Sequence, residues 1–284
     1  MEIKKVAVIG GGTMGNGITH VFAMNGTKVN LVETSEELGQ KALGTIDNNL
    51  GRMLKKEKIE AAQKEQALEN ITLHTDVKKA VEDVDLIVEA VPENLELKKK
   101  IFEQVDEAAP EYAILATNTS SISITKIAAH TSRPEKFIGM HFFNPVPVMR
   151  LVEIVKGFET SNETYQAIEE TAEKLGKTPV PVEDYPGFVS NRVLMPMINE
   201  AIQCVHEGVA TPENVDSVMK LGMAHPMGPL RLADFIGLDV CLDIMNVLYE
   251  GFKDSKYRPS PLLVKMVDAG KLGNKTGEGF YTYD

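Results

Sequence analysis

The segment HFFNPVPVMRLVEI (141–154) puts one ionisable ring, His141, beside two phenylalanines, and a lone carboxylate, Glu153, twelve positions later. An imidazole titrates near neutral pH, so it can take a proton from a hydroxyl and return it. A carboxylate on its other ring nitrogen fixes the tautomer and steadies the imidazolium that forms. Pro145 and Pro147 break the chain just after the ring. The residue types therefore point to acid–base work at a strand end. The plain alternatives are a core histidine and a strand glutamate paired with Arg150 or Lys156.

A second cluster of chemistry lies at the start of the chain. Gly10-Gly11-Gly12-Thr13-Met14-Gly15 contains G-x-G-x-x-G, placed after a strand-like run and before a helical one. Gly10 permits a tight turn, Gly12 lets a pyrophosphate approach the backbone, and Gly15 lets helix pack on strand. The helix N-terminus offers unpaired N–H groups to phosphates. Glu33 follows 23 positions after Gly10, where a carboxylate can accept from both adenosine ribose hydroxyls and repel a 2′-phosphate. With Thr34 and Ser35 next and no arginine, NAD is favoured over NADP.

These groups need a scaffold. KVAVIG (5–10), KVNLVE (28–33), VDLIVEAV (84–91), YAILAT (112–117), KFIGMHF (136–142), RLVEIVKG (150–157) and TPVPVE (178–183) read as strands, with helical stretches between most of them. Thr34 to Glu37 reads as a capping box opening a long polar helix that ends in GRMLKKEK (51–58). Alternating strands and helices predict an α/β fold, a Rossmann-like doubly wound, mostly parallel sheet. After Asp184-Tyr185-Pro186-Gly187 the pattern turns helical, with Pro196 expected to kink or break its first helix. Thr211-Pro212 and Ser260-Pro261 read as N-caps followed by proline. We expect a dinucleotide-binding domain over 1–185 and a smaller all-helical domain over 186–284.

Composition bounds the rest. The chain has 284 residues, is 43% hydrophobic, and carries a formal net charge of −11, which speaks against nucleic acid and anionic membrane as partners. Cys204 and Cys241 lie in apolar helical segments and read as buried thiols rather than a bridge. No Cys/His cluster has metal-ligand spacing. The apolar run at the start is too short for a signal peptide, so the expected location is the cytoplasm.

The chain resembles the short-chain L-3-hydroxyacyl-CoA dehydrogenases, most of all the bacterial 3-hydroxybutyryl-CoA dehydrogenases. The likeness runs through GGGTMG (10–15), EAVPENLELK (89–98), NTSS (118–121), HFFNPVPVMRLVE (141–153), PGFVSNR (186–192), HPMGP (225–229) and KTGEGFY (275–281). It implies a catalytic pair at His141 and Glu153, with Ser120 and Asn191 holding the substrate. It implies cofactor contacts at the glycine turn, Glu33, Glu93, Lys98, Ser120, Asn144 and Lys275. A serine and a lysine that touch coenzyme A in relatives correspond to Asn49 and Lys56, the first a departure from the family pattern. Glu33 is another, since relatives often carry aspartate. The implied activity is NAD-linked interconversion of (S)-3-hydroxybutyryl-CoA and acetoacetyl-CoA, by a homodimer or higher homo-oligomer built through the helical domain. Two other readings are a non-catalytic NAD-binding protein on the same fold and a CoA-independent hydroxy-acid dehydrogenase.

Overall fold

The computed structural model describes residues 1–283 and divides into two compact units, Met1–Asp184 and Tyr185–Asp284. In the first unit the order is β1 (Lys5–Ile9), α1 (Thr13–Met24), β2 (Lys28–Val32), α2 (Glu36–Lys55), α3 (Ala61–Glu69), β3 (Ile71–His74) and α4 (Val77–Val81). There follow β4 (Leu86–Glu89), α5 (Leu95–Ala108), β5 (Ile114–Thr117), α6 (Ile124–Ala128), β6 (Phe137–Phe142), β7 (Leu151–Lys156), α7 (Asn162–Lys174) and β8 (Thr178–Glu183).

The strands form one sheet in the order β3-β2-β1-β4-β5-β6-β7-β8. Chain order reverses between β1 and β4, the switch point outside which α/β sheets take their ligands. Strands β1, β4, β5 and β6 are buried almost throughout, as expected for strands covered on both faces. Val6, Val8, Leu31, Leu86, Val88, Ala116, Ile138 and Ile154 share one hydrophobic core with Ile18 and Phe22 of α1.

Every neighbouring pair is parallel except β6–β7. Residues 143–150 between these two strands are too few for a crossover helix, so the chain doubles back. The mostly parallel sheet expected from the sequence therefore contains one reversal, and it falls at the histidine segment. Strand β3, absent from the sequence-based reading, pairs with β2 at the sheet edge. The cap of α2 is Ser35, whose hydroxyl accepts from Leu38 N–H at 3.3 Å, one residue later than the expected Thr34.

The second unit contains α8 (Ser190–His206), α9 (Pro212–Gly222), α10 (Pro229–Ile236), α11 (Leu238–Phe252) and α12 (Pro261–Asp268). Ile198, Ile202, Leu230, Leu238, Met245, Leu248 and Leu263 fill its core. Helix α8 runs through Pro196 without interruption. Proline costs a helix one hydrogen bond and a local clash, and burial of Met195, Ile198 and Ile202 on the same helix offsets it. Thr211 caps α9 through its side chain, whereas Ser260 precedes α12 without such a bond. Gly237, at φ +105°, splits the apolar 231–252 stretch into α10 and α11. Asp216 accepts from Leu230 and Arg231 N–H at 2.8 and 2.9 Å and so caps α10. Asp234 holds the tail through Phe280 and Tyr281 N–H, both at 2.9 Å. Cys241 is buried, Cys204 half-buried, and both are free thiols.

Candidate active site

Because β6 and β7 are antiparallel, His141 and Glu153 are direct cross-strand partners. Opposed residues on one face of such a pair bring their side chains together. Nδ1 of His141 lies 2.8 Å from Oε2 of Glu153, with the two residues 5% and 2% exposed. The Phe143 ring tilts against the imidazole at a centroid separation of 4.6 Å. The twelve-residue spacing is thus a hairpin's spacing, and the proline-broken turn brings the ends together. His20 on α1 is as deeply buried, but its Nδ1 meets no hydrogen-bond partner among the described residues. Burial, helped by Lys177, lowers its pKa to about 4, so this ring is neutral at physiological pH.

The glycine turn has the geometry a diphosphate needs. Gly10 sits at φ +97°, and a Cβ there would meet the Ala90 carbonyl at 2.9 Å. A Cβ on Gly15 would fall 1.7 Å from the Gly10 carbonyl oxygen, so only glycine allows α1 this close to the turn. A Cβ on Gly12 would enter open space at the first turn of α1. Glu33 is held by Gly11 N–H at 2.7 Å and Thr34 N–H at 3.0 Å. Carboxylate oxygens accept more than one bond each, so this anchoring leaves capacity for ribose hydroxyls. Gly11, Gly12, Thr13, Glu33 and Asn144 all line one cleft of about 430 Å³. These residues fit a dinucleotide, with its pyrophosphate on α1 and its adenosine ribose toward Glu33. Met14 is half-buried and packs against the hydrophobic core.

A separate polar cluster surrounds Ser120, beyond the ends of β4 and β5. Oε1 of Glu93 accepts from Ser120 N–H at 2.9 Å, from Ser121 N–H at 2.9 Å and its hydroxyl at 2.8 Å, and from the Thr119 hydroxyl at 2.6 Å. Burial raises the Glu93 pKa, but Lys98 and these donors outweigh it and hold the carboxyl below its ordinary range. Asn118 accepts from Phe142 N–H at 2.9 Å, which ties the Ser120 loop to the residue after His141. Asn118, Thr119, Ser121 and Glu89 belong to this cluster and were not singled out from the sequence. Glu89 is fully buried and bonds Lys98 at 2.7 Å.

The remaining expected residues are placed as follows. Asn49 lines the cleft that contains Glu33 and accepts a hydrogen bond from Arg52. Lys56 is the exposed C-cap residue of α2. In the second unit, Asn191 is buried in the first turn of α8 and Lys275 pairs with Asp239 at 2.5 Å.

A dinucleotide cleft at a switch point, with a buried histidine–carboxylate pair on the same unit, defines a nucleotide-dependent oxidoreductase architecture. Comparison with known proteins narrows it. Residues 5–185 match the family described as 3-hydroxyacyl-CoA dehydrogenase, NAD binding domain, and residues 187–283 match 3-hydroxyacyl-CoA dehydrogenase, C-terminal domain. The chain belongs to the 3-hydroxyacyl-CoA dehydrogenase family. It is 55% identical to a probable 3-hydroxybutyryl-CoA dehydrogenase of Deinococcus radiodurans, over 98% of this chain and 100% of that protein. It is 52% identical to a probable 3-hydroxybutyryl-CoA dehydrogenase of Bacillus subtilis, over 100% and 99%. Among solved structures it matches (S)-3-hydroxybutyryl-CoA dehydrogenase from Ralstonia eutropha, with a TM-score of 0.98, 51% identity and complete coverage of both chains.

Proposed function

We propose that this protein interconverts (S)-3-hydroxybutyryl-CoA and acetoacetyl-CoA with NAD as hydride carrier. The observation that carries the reading is the His141–Glu153 contact at 2.8 Å on the unit that matches the NAD binding domain. The family membership and the names of relatives at 50% identity or more support the substrate.

The glycine turn and α1 hold the pyrophosphate, Glu33 reads the ribose, and Asn144 borders the same cleft. Bound nicotinamide supplies or accepts the hydride. His141 exchanges a proton with the substrate's 3-oxygen through Nε2, while Glu153 on Nδ1 fixes the ring and balances the positive charge it acquires. Ser120 orients the same oxygen and steadies charge building on it. On the family resemblance, Asn191 joins Ser120 in holding substrate, Lys275, Lys98 and Glu93 serve the cofactor, and Asn49 and Lys56 meet coenzyme A. Acyl-CoA substrates and NAD are intracellular metabolites, which supports a location inside the cell, and the cytoplasm is the proposed compartment.

The test is NADH oxidation with acetoacetyl-CoA, followed at the nicotinamide absorbance, against free acetoacetate and against NADPH. Turnover restricted to the thioester and strongest with NADH is expected. No turnover at high enzyme concentration overturns the reading in favour of a non-catalytic NAD-binding protein. Equal turnover of the free acid overturns the coenzyme A requirement.

We further propose that the protein is a homodimer through its helical unit. What supports this is the apolar surface there, which includes Val218 and Leu221, 62% and 87% exposed.

A further inference from the structure

Lys98 is 1% exposed, in a chain whose other lysines lie at or near the surface. Its ammonium is held by both oxygens of Glu89, at 2.7 and 3.0 Å, and Oε2 of Glu93 lies 3.5 Å away. Glu89 is fully buried at the C-terminal end of β4. It also accepts from Val91 N–H at 2.7 Å and from the Thr117 hydroxyl at 2.6 Å. The partners of Glu89 therefore lie on β5, on the loop leaving β4 and on α5. Glu93, at the other side of the ammonium, carries four donors from Thr119, Ser120 and Ser121.

A buried ion pair is costly to desolvate and is not a reliable source of stability. What it supplies here is position. Short, directional charge-assisted bonds fix Lys98 on Glu89, and an ion pair at 3.5 Å couples its ammonium to Glu93. The chain Thr117–Glu89–Lys98–Glu93 ends on the backbone N–H of Ser120, the residue placed against the substrate oxygen.

We propose that Glu89, through Lys98 and Glu93, is a positioning residue that sets the Ser120 loop for catalysis. Lys98 then acts as the centre of this relay, its ammonium between Glu89 and Glu93. The inference rests on the dehydrogenase reading above, and on Ser120 touching substrate in it.

The test is a mutant cycle in the full-length protein. Glu89→Gln preserves shape and removes the charge. A misplacement of about 1 Å costs on the order of 10²-fold, so kcat is expected to fall by about 10- to 100-fold. In a Ser120→Ala background the same substitution is expected to change kcat by less than about twofold, because the hydroxyl it positions is gone. Circular dichroism and thermal unfolding confirm that each variant is folded. A folded Glu89→Gln enzyme with kcat within about twofold of the parent overturns the proposal, and so does an undiminished loss in the Ser120→Ala background. If Glu89→Gln does not fold, Thr117→Val removes the hydroxyl that holds Glu89 at the buried end of the relay and is judged by the same two criteria. Failure of the dehydrogenase reading itself is distinguishable, since the unmodified protein would then turn over no acetoacetyl-CoA.

Discussion

Glu153→Gln keeps the size of the side chain opposite His141 but removes the charge that faces Nδ1 across 2.8 Å. Glutamine can still accept a hydrogen bond, so the ring stays near its place and the loss reports on charge. Kcat is expected to fall by about 10²–10⁴-fold in this variant and in His141→Ala, the span of positioned acid–base groups. The NADH dissociation constant, read by fluorescence titration, should barely change, since neither residue lines the cleft of the glycine turn. Near-normal kcat for Glu153→Gln across the pH range would mean that the carboxylate has no catalytic part. Both residues stood out in the sequence by type and by the prolines between them. Their contact did not, because it depends on the β6–β7 register, which spacing alone leaves open. Glu89 was less legible still. Inside VDLIVEAV it reads as the polar end of a strand, and nothing local marks Lys98, nine positions later on a helix, as its buried partner.

Among elements, the β1–α1 turn separates a glycine needed for ligand from one needed for packing. Gly12→Ala adds a methyl where nothing lies within 4 Å, at φ −62°, which any residue adopts. The fold should be unaffected, while the methyl occupies the approach of the pyrophosphate. NADH binding is expected to weaken by about tenfold or more, equivalent to roughly 1.4 kcal/mol, with the melting temperature unchanged. Gly15→Ala drives a methyl into the Gly10 carbonyl and must push α1 off the sheet. Overpacking of this kind costs about 1–3 kcal/mol, so melting should drop by several degrees along with NADH affinity. Equal melting temperatures for the two variants would contradict the distinction. Calorimetry of both proteins, with and without NADH, supplies the comparison. The turn was readable because glycine spacing encodes backbone geometry directly. The seven strands expected from apolar runs all formed for a similar reason. Strand β3 was missed because ITLH is four residues long, half-buried and without a continuous apolar run. The reversal at β7 was missed because it follows from the length of a loop, whereas strand composition says nothing about direction.

For the whole molecule, charge and apolar surface make opposite demands. A chain with a net charge of −11 repels its own copies at long range, which favours solubility. Yet Val193, Val218, Leu221 and Met223 are each more than 60% exposed on the helical unit. A hollow of about 410 Å³ on that unit is lined mostly by apolar side chains, among them Met197, Ala201, Val209, Val215 and Val218. Apolar patches of this kind are uncommon on monomers and mark surfaces that become covered. A second copy of the chain is the proposed cover, with short-range burial overcoming a repulsion that salt screens beyond about 10 Å. Light scattering coupled to size exclusion should therefore give twice the mass of one chain, and raising the salt should not dissociate it. Val218→Asp and Leu221→Asp together should give a single-chain mass, because a buried unpaired carboxylate costs far more than the contact it replaces. If the unmodified protein runs as a monomer, the dimer proposal fails. If the charged variant remains dimeric, the interface lies elsewhere, and the exposed apolar residues of α9 need another explanation.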